Sequence, residues 1–462
     1  MIPNTSPWLA QLNRTRPAVP IAADASADVA IVGGGIAGAT TAYFTLKHTN
    51  DSVVMLEADM VAHGATGHNA GQITSYFERP FESIVKEFGL ELAVEGQRAI
   101  ESAWGLLDEI VAEAGLKTPA YRFTGYAGCS EFEQVVEHLE ENKDRTQGGL
   151  PQETILIAEE SGWAPALPSF YEGLYSVVSQ ENVLALLETE DRRYQAVIAT
   201  QKGCMNSARF TEELIGYLVA TYPGRFSLYE KSPVAKVTLY EDRGALSVLG
   251  HSVEARRVVL CTNGFEQFHI ENTSGSDIDT KFHHLVQGRI GYMAGYLESM
   301  NASPVAISYF PKGQPVTGDP TGETYFYLTR RPHGEEEGEA KNLVCAGGPE
   351  QVLPNQAEYS RSQHCREDVR ESLDDFLGST YKHYPDPGTE YSFCWHGLMG
   401  YTPGGLRRIG AEPCNPVLLY NLGCNGVGIL PSIYGGKRIA RILNGEVVEA
   451  SIFDPVDQRC MI

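Results

Sequence analysis

The sequence predicts an α/β fold in which a parallel, helix-flanked sheet is interrupted by a second, largely antiparallel sheet. Three observations predict it. Residues 28–38 read DVAIVGGGIAG, an apolar run that breaks into glycines. Two later apolar runs, ARRVVLCTNG at 255–264 and PVLLYNLG at 416–423, also stop at glycine, and in α/β sheets the carboxyl ends of strands are where ligands bind. Between these two runs, residues 283–395 hold short aromatic and β-branched stretches such as RIGYMAGY, TYFYLTRR and LVCAGG. Those suit antiparallel pairing better than repeating βαβ units.

Taken in chain order, residues 1–26 are rich in Pro, Ala and polar residues and form an N-terminal arm. A strand then runs into Gly33-x-Gly35-x-x-Gly38, a helix extends from Ile36 to about Lys47, and a second strand (Val53 to Leu56) ends at Glu57. This is a dinucleotide-binding βαβ unit. Its first glycine permits the tight turn, the second lets a pyrophosphate approach the backbone and the third lets helix pack on strand. The phosphates meet a helix N-terminus, where the dipole favours negative charge. Glu57 can accept both hydroxyls of an adenosine ribose and would repel a 2′-phosphate. Apolar positions between Phe81 and about Glu113 recur at helical spacing and predict one or two long helices; Ser207 to Tyr222 predicts another. SPVAKVTLY (232–240) alternates as a strand, and the acidic GEEEGE (334–339) suits an exposed hairpin tip.

The balance of 36 basic and 59 acidic residues, a net charge of -23, argues against nucleic acid or anionic membrane surfaces as partners. A negative field of this kind would draw in cationic amines. No apolar run approaches the ~18 residues of a membrane span, and the N-terminus lacks an apolar signal core, so a cytoplasmic protein is expected. Nine scattered cysteines without a C-x-x-C pair fit neither a disulfide framework nor a zinc site, and most are expected to be reduced thiols. No metal-ligand spacing stands out.

GATGHNAGQ (64–72) is a loop of small residues suited to a helix N-terminus pressed on a planar ligand, with Thr66, Asn69 and Gln72 as polar anchors. GCNGVGIL (423–430) opens a helix whose amides and dipole suit a negatively charged group. Together with PVAKV, VVLCTNGF and the WHGLMGYTPGGLRRIG run, these motifs, in this order across residues 28–445, resemble the FAD-dependent D-amino-acid oxidase superfamily. Within it they resemble the branch of sarcosine, glycine and γ-glutamylputrescine oxidases. The resemblance implies a Rossmann-like FAD-binding domain of the glutathione-reductase type with an inserted α+β substrate domain. The expected boundaries are 27–82, 196–282 and 392–462 for the FAD-binding domain, and 83–195 and 283–391 for the substrate domain.

Carried over by position, the resemblance places Gly33, Gly35, Ile36, Ala37 and Gly38 at the pyrophosphate and Glu57 and Ala58 at the adenosine ribose. Ala65, Thr66, His68, Asn69, Ala70, Gly71 and Gln72 fall at the flavin end. Val234 corresponds to the adenine contact, and Thr262, Asn263 and Gly264 close over the cofactor. Gly423, Asn425, Gly426, Val427, Gly428 and Ile429 hold the flavin's pyrimidine edge, and Gly397 is a further cofactor-binding residue. Four positions depart from the pattern. His68 stands where many relatives have Arg and others a flavin-linked His, so non-covalent FAD is expected with a link through His68 as the alternative. Met399 replaces a flavin-linking cysteine before Tyr401-Thr402. Gly404 and Arg407 replace a common Asp and Pro.

Oxidising an amine on a flavin needs a C–H bond at N5, an unprotonated nitrogen and a dry pocket. The candidate pocket residues are His283, His284, Arg289, Tyr325, Tyr327, Arg330, Trp395 and His396. An Arg would clamp a carboxylate, aromatics would cage a cation, and His396 could take a proton from the substrate. The expected activity is oxidation of a C–N bond of an amine or amino acid to an imine, with O2 giving H2O2. Two alternatives are a flavin dehydrogenase of a 2-hydroxy acid or amine that feeds a quinone or carrier, and a catalytically silent FAD-binding relay. Substrate, chirality and oligomeric state stay open.

Overall fold

The structure is a computed structural model, and it describes residues 4–456 apart from 267, 280–284, 301, 312–324, 337–338, 356–357 and 386–388. Strand Ala25–Val32 lies between strands Val53–Leu56 and His251–Leu260, parallel to both, and Phe226–Tyr229 continues the sheet in parallel beyond Val53–Leu56. On the far side, the first half of His251–Leu260 pairs antiparallel with Gly244–Val248, and its last residues pair parallel with Leu418–Leu422. Alternation along the buried strands separates two cores, as a period of two requires. Val29 and Ile31 face one core, while Ala30 and Val32 face the other.

Helices Ile36–His48 and Ile429–Leu443 cover the first of these faces. They pack backbone to backbone, since a methyl group added at Gly436 would lie 2.8 Å from the Thr41 nitrogen. The long apolar stretch after residue 80 forms two helices, Phe81–Phe88 and Leu90–Glu113. They part at Gly89, whose φ of +82° only glycine adopts readily. Ser207–Thr221 is helical, with Asn206 accepting from Arg209 as its cap.

The second sheet is largely antiparallel, in the order Phe393–Tyr401, Gln287–Ser299, Glu339–Val352, Phe326–Glu336, Val305–Phe310, Tyr121–Cys129, Ala196–Cys204, Thr154–Ala158, Ser176–Val178. The two strands Ala196–Cys204 and Phe393–Tyr401 thus hydrogen-bond in this sheet, although they sit beside the seams expected for the nucleotide domain. Part of the GEEEGE tip, like His283 and His284, lies outside the described residues.

The N-terminal arm is part of the core. Ser6 caps the short helix Pro7–Ala10, Trp8 is fully buried, and Arg14 and Arg16 both pair with the buried Glu230. Among the described cysteines seven are free thiols, five of them buried, and Cys414 is disulfide-bonded. Among the described residues no helix is long and apolar enough to cross a membrane.

Candidate active site

A cavity of about 580 Å³ is lined from both sheets. At one end stands the glycine turn. Gly33 has φ +110°, and a methyl group there would sit 2.6 Å from the Cys261 carbonyl oxygen; one at Gly38 would sit 1.9 Å from the Gly33 oxygen. Gly38 therefore does not line the cavity but allows the helix to lie against the turn. Gly35, Ile36 and Ala37 do line it. Gly35 is the N-cap of the helix and offers no side-chain acceptor. Beyond the second strand, Glu57 accepts from the Gly34 nitrogen at 2.7 Å and the Asp59 nitrogen at 2.8 Å. Burial pushes its carboxyl up, and these two amides pull it back down. Ala58 and Val234 complete this end.

The GATGHNAGQ segment forms a 3₁₀ turn, Ala65–Gly67, cross-tied to the first helix. Thr66 Oγ1 accepts from the Ile36 nitrogen at 3.0 Å, and Ser207 Oγ donates to the Thr66 oxygen at 2.7 Å. Asn69 donates to both Thr66 O and Ser207 Oγ. Ala65, Thr66, His68, Asn69, Ala70 and Gln72 line the cavity, and the buried Gln72 Nε2 has no hydrogen-bond partner. His68 Nδ1 lies 3.0 Å from the Gly64 carbonyl oxygen. A carbonyl only accepts, so Nδ1 carries the proton and Nε2 is the basic nitrogen. Burial drives this imidazole down to about 4.

Gly71 holds the loop against the arm rather than lining the cavity, for a methyl group there would meet the Trp8 ring at 2.5 Å. Gly264, Gly423 and Asn425 also shape the wall from behind. Gly264 packs on Val286, Gly423 on Thr402, and Asn425 Oδ1 accepts from the Thr402 nitrogen at 2.8 Å. Thr262, Asn263, Gly397, Gly426, Val427, Gly428 and Ile429 line the cavity directly. Helix Ile429–Leu443 begins there behind Gly428, which provides no side-chain cap. Two helices with N-cap residues that offer no side-chain acceptor thus begin at one cavity, the first with its Ile36 amide already taken by Thr66 Oγ1.

Arg407, read from sequence only as a departure, also lines this region. Its acceptors are neutral: Asn421 Oδ1 at 2.7 Å, Asn421 O at 2.8 Å and Gly423 O at 3.4 Å. Burial lowers the guanidinium to about 10, so it remains charged at neutral pH.

The other end is made of side chains. Arg289 lies 4.5 Å over the Tyr401 ring and 3.6 Å from Glu350 Oε2. Tyr325 donates to Glu78 Oε1 at 3.1 Å, and Tyr76, Tyr327 and Met399 line the same region. Burial first, and then the charge of Glu78, pushes Glu350 up to about 7. Of the residues expected here, Arg289, Tyr325 and Tyr327 are in place. Glu78, Glu350, Tyr76 and Tyr401 were not among the expected residues.

Three expected pocket residues are elsewhere, Arg330 and His396 by strand parity and Trp395 because it packs beneath the loop. Arg330 leaves the strand on the face opposite Tyr325 and Tyr327 and chelates Glu188 at 2.7 and 2.8 Å, with Tyr381 at 2.6 Å. His396 Nε2 lies 3.0 Å from the Gln363 oxygen, and its ring packs on Tyr292 and Tyr359. It faces away from the cavity and cannot take a proton there. Trp395 supports the loop from below, donating to the Asn69 oxygen at 3.2 Å and meeting Trp8 edge-on.

Residues 28–442 match the family model described as DAO, FAD dependent oxidoreductase. A stretch of 90 residues is 37% identical to YhfW of Bacillus subtilis (strain 168), named as a Rieske 2Fe-2S iron-sulfur protein, over 19% of this chain and 18% of that protein. A stretch of 89 residues is 33% identical to gamma-glutamylputrescine oxidoreductase of Escherichia coli (strain K12), over 19% of this chain and 21% of that one. These matches span about a fifth of the length of either curated relative. Among solved structures the fold is similar to glycine oxidase from Geobacillus kaustophilus, with a TM-score of 0.66 and 17% identity over 92% of this chain and 96% of that one.

Proposed function

The chain belongs to the FAD-dependent oxidoreductases of the DAO family, and from that premise we propose that it oxidises the C–N bond of an amine or amino acid to an imine. O2 is the acceptor, reduced to H2O2, and water then hydrolyses the imine. The observation that carries this reading is a cavity with a backbone cradle at one end and a tyrosine, glutamate and arginine cluster at the other.

The residues present fit FAD. The unpartnered Gln72 Nε2 supplies a buried donor, and Gly33 and Gly35, with the helix packed tightly on the turn at Gly38, leave backbone where a pyrophosphate would approach. Arg407 and the helix N-termini at Ile36 and Ile429 supply the countercharge. Glu57 would hold the ribose, Val234 the adenine, and the Thr66–Gln72 loop with Gly397 and Gly426–Ile429 the flavin. In this reading the segments of the first sheet form the FAD-binding domain, and those of the second sheet form the substrate domain. When bound, FAD supplies the two-electron acceptor.

The chain's own groups do the rest. Tyr325, Tyr327 and Tyr401 exclude water and offer ring faces to a substrate cation. Arg289, paired with Glu350, can turn to a substrate carboxylate. Glu350, poised near neutrality, is the group placed to take the proton that an alkylammonium must lose before oxidation.

The test is anaerobic mixing of the yellow holoprotein with amines, amino acids and 2-hydroxy acids, followed by peroxide measurement in air. Bleaching by an amine or amino acid with one H2O2 per turnover is expected. Bleaching only by hydroxy acids, or by none of the panel while dithionite still reduces the flavin, overturns it. Acid precipitation addresses His68: colour wholly in the supernatant is expected and would exclude a covalent link.

A further inference from the structure

Away from that cavity, the second sheet carries a group of residues that the reaction does not use. His138 and Glu141 stand one turn apart on helix Phe132–Gln147, and Glu153 precedes strand Thr154–Ala158. One ligand atom from each of the three lies within 4.8 Å of the other two. The turn between helix and strand fixes this approach. Asn142 Nδ2 donates to the Glu153 oxygen and Asn142 Oδ1 accepts from the Glu153 nitrogen, both at 2.8 Å. Arg145 Nε donates to the Pro151 oxygen at 2.8 Å.

His138 is the unusual member. Both of its ring nitrogens are shielded from solvent and neither has a hydrogen-bond partner. The approach to Glu153 Oε2 is 3.7 Å, beyond hydrogen-bond distance. A buried orphaned donor–acceptor of this kind calls for a missing partner. The neighbouring cation does not fill that role, because Arg145 Nη2 is committed to Glu101 Oε1 at 2.7 Å. An unpartnered imidazole is a common metal ligand in its neutral form. Two partly buried carboxyl groups thus stand beside an unpartnered imidazole, while Arg145 Nη2 is held by Glu101.

We infer that His138, Glu141 and Glu153 bind one divalent first-row transition ion, with Zn²⁺ as the test ion, which clamps the helix to the sheet. Two carboxylates cancel the ion's charge, and the imidazole nitrogen favours such an ion over Mg²⁺ or Ca²⁺, which prefer oxygen alone. Ligand atoms around a tetrahedral zinc with bonds of ~2.0–2.1 Å stand about 3.3 Å apart. Rotation of the two flexible glutamates closes that gap. Of the three, Glu153 also lines a second, polar cavity of about 590 Å³. The spacing His-x-x-Glu is too common on helices to signal a metal by itself; only the fold adds Glu153.

The experiment uses tag-free holoprotein, stripped with a chelator, dialysed against low-micromolar ZnCl2 and analysed for metal, flavin and protein. Wild type is expected to hold one zinc per chain, and His138→Ala and Glu153→Gln at least about tenfold less, all with the same flavin-to-protein ratio. Zinc should raise the melting temperature of wild type and of neither variant. X-ray absorption on zinc-loaded wild type, which needs no variant to fold, should show an N/O shell with an imidazole contribution. Zinc not retained by wild type, retained equally by both variants, or bound through sulfur overturns the site.

Discussion

The two ends of the main cavity are built from different material. At the glycine end the wall is backbone: the turn at Gly33, the amides at Ile36 and Ile429, and a Glu57 carboxylate already held by two main-chain nitrogens. At the other end the wall is side chains drawn from separate segments, with Glu78, Arg289, Tyr325, Glu350 and Tyr401 bonded or stacked to one another. Backbone surfaces tolerate no added atoms, whereas a side-chain wall can be recut one residue at a time. The first end suits a group common to a whole family, and the second suits whatever distinguishes one member's substrate.

The harshest way to test that contrast is Gly38→Ala. Its methyl group would collide with the Gly33 oxygen, and neither backbone segment can give way. Overpacking of this kind costs about 1–3 kcal/mol or more, applied at the turn itself. The variant is expected to purify without flavin or to fail to accumulate, as judged by the flavin-to-protein ratio. Gly105→Ala, on the exposed side of helix Leu90–Glu113 where nothing lies within 4 Å, is expected to keep full flavin content. Equal retention by both would show that the glycine end is not a rigid cradle.

Trp8 supports the Asn69–Gly71 loop from behind, and its removal is the next largest effect. The fully buried indole fills the space over Gly71, donates to the Asn69 oxygen at 2.5 Å and lies edge-on to Trp395. Truncating such a core tryptophan costs about 3–5 kcal/mol. For Trp8→Ala a lower midpoint in urea is expected, together with faster loss of flavin from the native state. The arm also has an acid signature. Arg14 and Arg16 hold Glu230 down to about 2 against its burial. A depressed carboxyl contributes stability above its unfolded value near 4.5 that is lost as pH falls toward 2. Glu230→Gln should therefore lose stability at pH 7 and flatten the acid limb of the unfolding curve.

At the side-chain end, Glu350→Gln should leave flavin content unchanged while lowering kcat/KM by about 10²-fold, the usual scale for a lost proton acceptor. The sign of the pH effect follows from the carboxylate being the active form. With Glu350 raised to about 7, wild-type kcat/KM should climb through neutral pH, and the variant should lack that limb. A limb unchanged in the variant would assign the proton to another group.

These two ends were also unequally legible in the sequence. The fingerprint, Glu57 and the GATGHNAGQ loop are contiguous, and a turn between a strand and a helix dictates their geometry, so local reading was enough. Glu350 carries no local mark. It reaches the cavity because residues 339–352 pair with 287–299, setting Glu350 opposite Gly291. Glu78 follows the loop with no pattern around it, and the burial of Trp8 within a Pro-rich arm depends on a groove formed by distant segments. Arg330 is a different kind of miss. With Tyr325 and Tyr327 in the pocket, alternation alone puts residue 330 on the other face, where Glu188 receives it.

The same alternation gives the smallest effect and the sharpest check on the wall's construction. In the pairing of Phe393–Tyr401 with Gln287–Ser299, Gly397 is opposite Gly291, Met399 opposite Arg289 and His396 opposite Tyr292. The first four face the cavity, whereas His396 packs on Tyr292 and Tyr359 behind it. His396→Gln keeps a polar side chain that can still reach the Gln363 oxygen. It is expected to change kcat/KM by less than about twofold and to leave the pH profile in place, because a proton acceptor must lie within about 2.6–3.2 Å of its proton donor or one water away. A large loss of kcat at unchanged flavin content and melting temperature would mean that the strand register differs during turnover. The distinction between a cavity-facing and a rear-facing residue at this end would then fail.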